Sequence, residues 1–149
     1  MLQHVHRIAA ALALLTILTF WLATLIAETL GQPATVVAVK TAIPWGFFLL
    51  IPALATAGGS GLALAKRRTA KRVAAKRRRM PIVAANGLLV LIPCALFLSV
   101  KARAGEFDAP FYAVQAVELV AGAVNIALLA LSLRDGLRLS GRLGGAPPA

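Results

Sequence analysis

Hydrophobic and polar positions along the chain separate into four long apolar runs divided by short polar punctuation. The runs are 8–30 (IAAALALLTILTFWLATLIAETL), 43–65 (IPWGFFLLIPALATAGGSGLALA), 82–100 (IVAANGLLVLIPCALFLSV) and 111–133 (FYAVQAVELVAGAVNIALLALSL). About 20 apolar residues in a helix cross the roughly 30 Å hydrocarbon core of a bilayer. Irregular backbone cannot face lipid, so each run reads as a helix. The first run exceeds the roughly 7–15 apolar residues of a cleaved signal peptide, so it reads as a retained span. The expected fold is therefore all-α: an integral membrane four-helix bundle over 1–140, followed by a tail.

The punctuation sets the boundaries. Gln32 and Pro33 close the first run. Pro44 and Pro81 suit the first turns of the second and third helices, where a missing N–H costs nothing. Residues 104–110, with Gly105, Glu106 and Asp108, form a short polar loop. Residues 141–149 (GRLGGAPPA) read as a disordered tail. Pro52 and Pro93 fall inside spans at similar depth. They rob the carbonyls of Phe48 and Leu89 of their partners and can kink both helices, which gives either packing shape alone or a shared outward bend that opens a cavity.

Composition strengthens the membrane reading. The 149 residues are 60% hydrophobic and 14% charged, against about half and about a quarter in soluble domains. Mean hydropathy is +0.83. The lone Cys94 lies in an apolar run, excludes an intrachain disulfide and reads as a small hydrophobe.

Charge then orients the chain. Nine of the sixteen Lys and Arg residues fall in one stretch: Lys66, Arg67, Arg68, Lys71, Arg72, Lys76, Arg77, Arg78 and Arg79. The net charge of +11 invites a nucleic-acid reading, but 66–80 contain no aromatic residue, and nucleic acid is not an expected partner. Basic loops stay in the cytoplasm, so 66–80 is expected inside, with both termini. That arrangement puts thirteen basic residues inside and Lys40, Lys101 and Arg103 outside, together with Glu28, Glu106 and Asp108. With no Gly or Pro between Ala65 and Met80, the basic run extends helix two or three past the bilayer. There its charges suit anionic lipid headgroups, at about 1 kcal/mol each near the surface.

All nine aromatics fall in the outer half, with Trp45 and Tyr112 at the level of an interfacial belt. The inner half carries Gly58, Gly59, Ser60, Gly61, Ala84, Ala85 and Gly87, which predicts close helix approach there.

Within the spans, Glu118 is the residue most in need of explanation, because an acid at membrane depth is a functional hypothesis by default. Gln115, Glu118, Gly122 and Asn125 share one helix face that should point inward. No Lys or Arg lies within the four runs to pair with Glu118, so either protonation or hydrogen bonds from Thr24, Trp21 or Gln115 are needed. The site is either a proton, cation or polar-ligand site or a structural acid. Asn86 and Asn125 stand at one depth and are expected to hydrogen-bond as helix glue. Thr16 and Thr19 either do the same or bond their own backbone.

His4 and His6 are the only histidines. Two apart, they cannot share a helix face and make no metal site. His6 with Met80, or with His6 of a second copy, is a candidate haem b ligand set. No complete catalytic or metal motif is present.

Two likenesses follow from these segments. HRIAAALALL resembles the first helix of four-helix b-type cytochromes, which implies haem and electron transfer at His6. Those proteins carry further histidines on later helices, where this chain has none. KRRRMPIVAANGLLVLIPCALFL and FYAVQAVELVAGAVNIALLALSLRDGLRLSGR resemble small four-helix inner-membrane proteins of proteobacteria. That likeness implies topology and a bacterial cytoplasmic membrane but no activity. The expected function is an accessory or small-ligand-binding multi-pass protein, with a homo-oligomer or membrane partner in view. The alternatives are a haem b protein using His6 and a small proton-coupled transporter using Glu118.

Overall fold

The computed structural model describes residues 1–65 and 71–139, with backbone alone at 62, 65, 71–78 and 136–139. The predicted tail at 141–149 and the headgroup candidates Lys66, Arg67 and Arg68 lie outside the described residues. Every element among them is helical: α1 (Leu2–Leu30), α2 (Pro33–Ala65), α3 (Lys71–Asn86), a π-helical turn (Gly87–Leu91), α4 (Ile92–Ala104) and α5 (Ala109–Leu139). Four stretches are long and apolar enough to cross a membrane: Leu2–Leu30, Pro33–Gly61, Arg79–Ala104 and Ala109–Asp135.

The π-turn follows from Pro93. A proline ring collides with the carbonyl four residues back and offers it no N–H. Here the preceding turn widens, and the Ile92 N–H bonds Gly87, five residues back. Such turns are a recognised source of helix distortion.

Helix boundaries depart from the sequence expectation in three places. The second helix begins at Pro33, not at 43, so Pro44 is internal and Pro33 takes the first turn. Pro81 is likewise internal, because α3 begins at Lys71 and runs through the basic segment. Lys71–Met80 is helical and continuous with the third span, in line with the absence of Gly and Pro from that stretch. The first helix starts at Leu2 and carries both histidines.

The α4–α5 connection is closed by local chemistry. Gly105 ends α4 in the left-handed region at φ 71°, which glycine enters without steric cost. The Glu106 N–H returns to Lys101 O at 3.0 Å, capping the last turn. Asp108 Oδ1 accepts the Phe111 N–H at 3.1 Å and so caps the start of α5.

Two apolar clusters hold the helices together. Ala13, Ile17, Leu50, Ala53, Val83 and Leu129 form one, toward the basic end. Ala27, Val36, Leu98, Ala102 and Phe111 form the other, at the far end. The alanines bring helix backbones close, which is how packing is gained where lipid is as apolar as leucine. Only 22–28% of each apolar window is buried against protein. Large side chains such as Ile8, Leu22, Trp45, Phe48, Leu89 and Val120 face outward, a surface suited to an apolar solvent.

The small residues of the basic end behave less uniformly than expected. Ser60 is buried and Gly61 abuts His6, but Gly59, Ala84 and Ala85 face outward. Nothing stands within 4 Å of a Cβ built on Gly58 or Gly59. Close approach is found instead at Gly46 and Gly122, where a Cβ would meet Phe20 at 2.1 Å and Trp21 at 2.8 Å.

Candidate functional site

Lys40 and Glu118 form the centre of the site. Because α2 begins at Pro33, Lys40 lies about 10 Å along the helix from its start at 1.5 Å per residue, within the second span. Its ammonium donates to Glu118 Oε2 at 2.6 Å, with Lys40 1% and Glu118 12% exposed. This overturns the expectation that no Lys or Arg pairs with Glu118: Lys40 lies within a helix long and apolar enough to cross a membrane. Lys40 is tolerated at depth because Glu118 compensates it, since removing an unpaired charge from water costs several kcal/mol.

The expected donors to Glu118 divide. Gln115 Nε2 reaches Oε2 only at 3.4 Å, at the weak limit of a hydrogen bond. Trp21 Nε1 donates to the Leu119 carbonyl at 2.8 Å, one residue from Glu118 but not to it. Thr24 is buried beside Glu118 in a shared cavity wall. The Trp21–Leu119 bond fixes the register of the antiparallel α1 and α5. Thr24 then lies one turn further out on α1 and Glu28 two, while Glu118 and Gln115 follow outward on α5.

Glu28 belongs to this cluster. It lies near the outer end of the first span, half-buried, in electrostatic reach of both Lys40 and Glu118. Its Oε1 is buried and takes no hydrogen bond among the described residues. The same is true of Gln115 Oε1, on a side chain only 4% exposed. The cluster thus holds two carboxylates, one ammonium and two orphaned acceptor oxygens.

A cavity of about 60 Å³ lies against the pair on the side of the basic end. Ile17, Phe20, Trp21 and Thr24 of α1 line it, with Ile43, Phe47 and Leu50 of α2, Leu91 and Ala95 of the third span, and Glu118, Leu119 and Gly122 of α5. Neither Pro52 nor Pro93 lines it. Its walls are apolar except at Thr24, the Trp21 indole and Glu118. Phe20 and Phe47 meet edge to face across one side, with centroids 6.5 Å apart.

The remaining candidates stand apart from it. Asn86 Nδ2 donates to Asn125 Oδ1 and to the Ala121 carbonyl, both at 2.9 Å, at the start of the π-turn. Asn125 is buried and reaches back to Val83 O at 3.4 Å. The two amides join the third span to α5. Thr16 and Thr19 bond their own backbone, at Leu12 and Leu15.

At the basic end, His6 Nδ1 stands 3.0 Å from Ala57 O and 3.1 Å from Ser60 Oγ. A carbonyl only accepts, so Nδ1 carries the hydrogen. His4 is exposed. Met80 packs into the apolar cluster around Ala13 and Leu129. No three metal-ligating side chains cluster among the described residues. Arg79 pairs with Asp135 at 2.7 Å, tying the third span to α5. Of Lys71, Arg72, Lys76, Arg77 and Arg78 the backbone alone is described, as helix.

Sequence reasoning missed Lys40, Glu28 and Asp135. The first was legible in principle: VVAVKTAI is apolar on both sides of Lys40, and Pro33 offered an earlier helix start. Comparison of the chain with protein-family models, with curated proteins and with solved structures gives no match.

Proposed function

We propose that the chain is a multi-pass protein of a bacterial cytoplasmic membrane, a four-helix bundle with both termini inside. It serves as an accessory protein that holds a small ligand at the polar site around Glu118. One observation carries this reading: an ion pair buried at membrane depth abuts an apolar cavity, with Glu118 in the wall of that cavity. Apolar walls with one or two placed polar groups are the usual make-up of a ligand pocket. At about 60 Å³ the cavity takes a group of a few heavy atoms, whose hydrogen-bond donor or cationic end meets the Glu118 carboxylate. The basic helical segment lies along anionic headgroups and sets the orientation.

Native mass spectrometry of the protein purified from its own membrane tests this. A small co-purifying species is expected on the wild type. It should be absent from Ala95→Phe, which fills the cavity, and from Glu118→Gln. A wild type that carries nothing contradicts the proposal.

A second reading, proton-coupled transport through Glu118, is favoured by the excess acid Glu28 beside the pair. It predicts proton flux into liposomes that Glu118→Gln abolishes, read with an entrapped pH-sensitive dye.

A further inference from the structure

The charges around Lys40 do not balance. Glu28 and Glu118 carry two negative charges when ionised, and Lys40 carries one positive charge. Glu118 already holds the ammonium at 2.6 Å. Two buried oxygens, Glu28 Oε1 and Gln115 Oε1, accept nothing among the described residues. Buried acceptors left without a donor are costly, and so is a net charge in a low-dielectric site. One proton cures both faults.

We infer that the cluster binds one labile proton, carried on Glu28 and donated to Gln115 Oε1, and that this proton decides which carboxylate holds Lys40. With Glu28 protonated, Lys40 pairs with Glu118, as observed. When Glu28 loses its proton to solvent, two carboxylates compete for one ammonium. Lys40 then turns toward Glu28, and Glu118 faces the cavity without its cation. No bond other than O–H is made or broken, and the proton leaves to the far-end surface, one turn beyond Glu28.

The groups that bear on Glu28 are few. Lys40 comes from α2, Glu118 and Gln115 from α5, and from α4 the Cys94 thiol lies in electrostatic reach of the pair. Lys101, in the last turn of α4, is held by Glu106 and Asp108 of the loop. Both histidines are at the opposite end. The consequence for a ligand at Glu118 rests on the function proposed above, but the proton itself does not.

Infrared spectroscopy of the full chain in lipid nanodiscs reads the proton without any ligand. At neutral pH the wild type should show the carbonyl stretch of a protonated carboxyl, lost at alkaline pH. The band should vanish in Glu28→Gln and grow in Lys40→Met, where both acids must be neutral. In Gln115→Leu, which removes the acceptor, its frequency should shift, a readout that stands even if Glu28→Gln fails to fold. Absence of the band from the wild type, its survival in Glu28→Gln or an unshifted band in Gln115→Leu overturns the inference. Replacing sodium by choline should leave the band unchanged; a band that grows when sodium is removed would make the bound cation Na⁺ and overturn the proton. A band without a co-purifying ligand would sink the ligand reading alone, and a ligand without the band would sink this one alone.

Discussion

Two lysines stand near the far end of the molecule, each with two carboxylates at hand, and they resolve the same imbalance differently. Lys101 lies in the last turn of α4, at the edge of the third span, and bonds two acids of the loop that follows, Glu106 at 2.7 Å and Asp108 at 2.6 Å. Lys40, in the second span, bonds Glu118 alone and leaves an oxygen of Glu28 unpaired. The excess negative charge at the loop is shared with solvent, which makes such pairs weak. At Lys40, itself 1% exposed, solvent reaches only the half-buried Glu28 and the edge of Glu118, so the ions depend more on one another and on a proton. Similar charges thus do different work. At the loop they close a turn; inside the span they set up a choice between partners.

The contrast predicts a steep difference between two substitutions. Lys40→Met should strand Glu118 and destabilise the protein by about 3–5 kcal/mol, as breaking a buried pair does. Lys101→Met should leave the denaturation midpoint almost unchanged. Denaturant titration in micelles, followed by circular dichroism, compares the two directly. Equal effects would erase the distinction.

The contrast also requires close packing beside the buried pair. Gly122 leaves room for the Trp21 indole, and a Cβ there would stand 2.8 Å from Cδ1. Gly122→Ala should displace the indole from Leu119 and cost about 1–3 kcal/mol of overpacking. In a Trp45→Phe background the emission of Trp21 should shift. An unchanged spectrum would show that the packing there is loose.

Buried polar groups without charge should rank lower. Asn86→Leu removes the bonds to Asn125 and Ala121 and should cost about 0.6–1.7 kcal/mol, the range for hydrogen bonds between membrane helices. A loss as large as that of Lys40→Met would mean that burial, not charge, governs the comparison.

The smallest effect belongs to the loop. The Lys101 ammonium, and then the Phe111 N–H, hold the Asp108 carboxyl below its ordinary pKa. Its stabilisation is therefore complete above the ordinary carboxylate pKa and is lost as pH falls through the lowered value. Asp108→Asn should leave stability at neutral pH nearly unchanged and flatten its acid limb. A neutral-pH loss comparable to that of Asn86→Leu would contradict this.

The sequence revealed the spans readily because lipid exposure demands continuous apolarity, which is a local property. The level of Asn86 and Asn125 was legible for the same reason, since depth along antiparallel helices follows from residue count. Lys40 was not, because one charge between Val39 and Thr41 resembles a span boundary until its partner, 78 positions away, is known. The proline rule failed at Pro44 and Pro81 because each helix begins earlier, at Pro33 and at Lys71, and runs on through its proline, which membrane helices tolerate. The π-turn left only an indirect trace, Pro93 itself.

The mutual dependence of Lys40 and Glu118 is the central claim, and a double-mutant cycle tests it most directly. In a Glu28→Gln background, where Lys40 has no second carboxylate to turn to, Lys40→Met and Glu118→Leu should each destabilise the protein strongly, and the variant carrying both should recover most of the loss, because no buried charge is left unpaired. Additive losses, with the double variant the least stable of the set, would contradict the account.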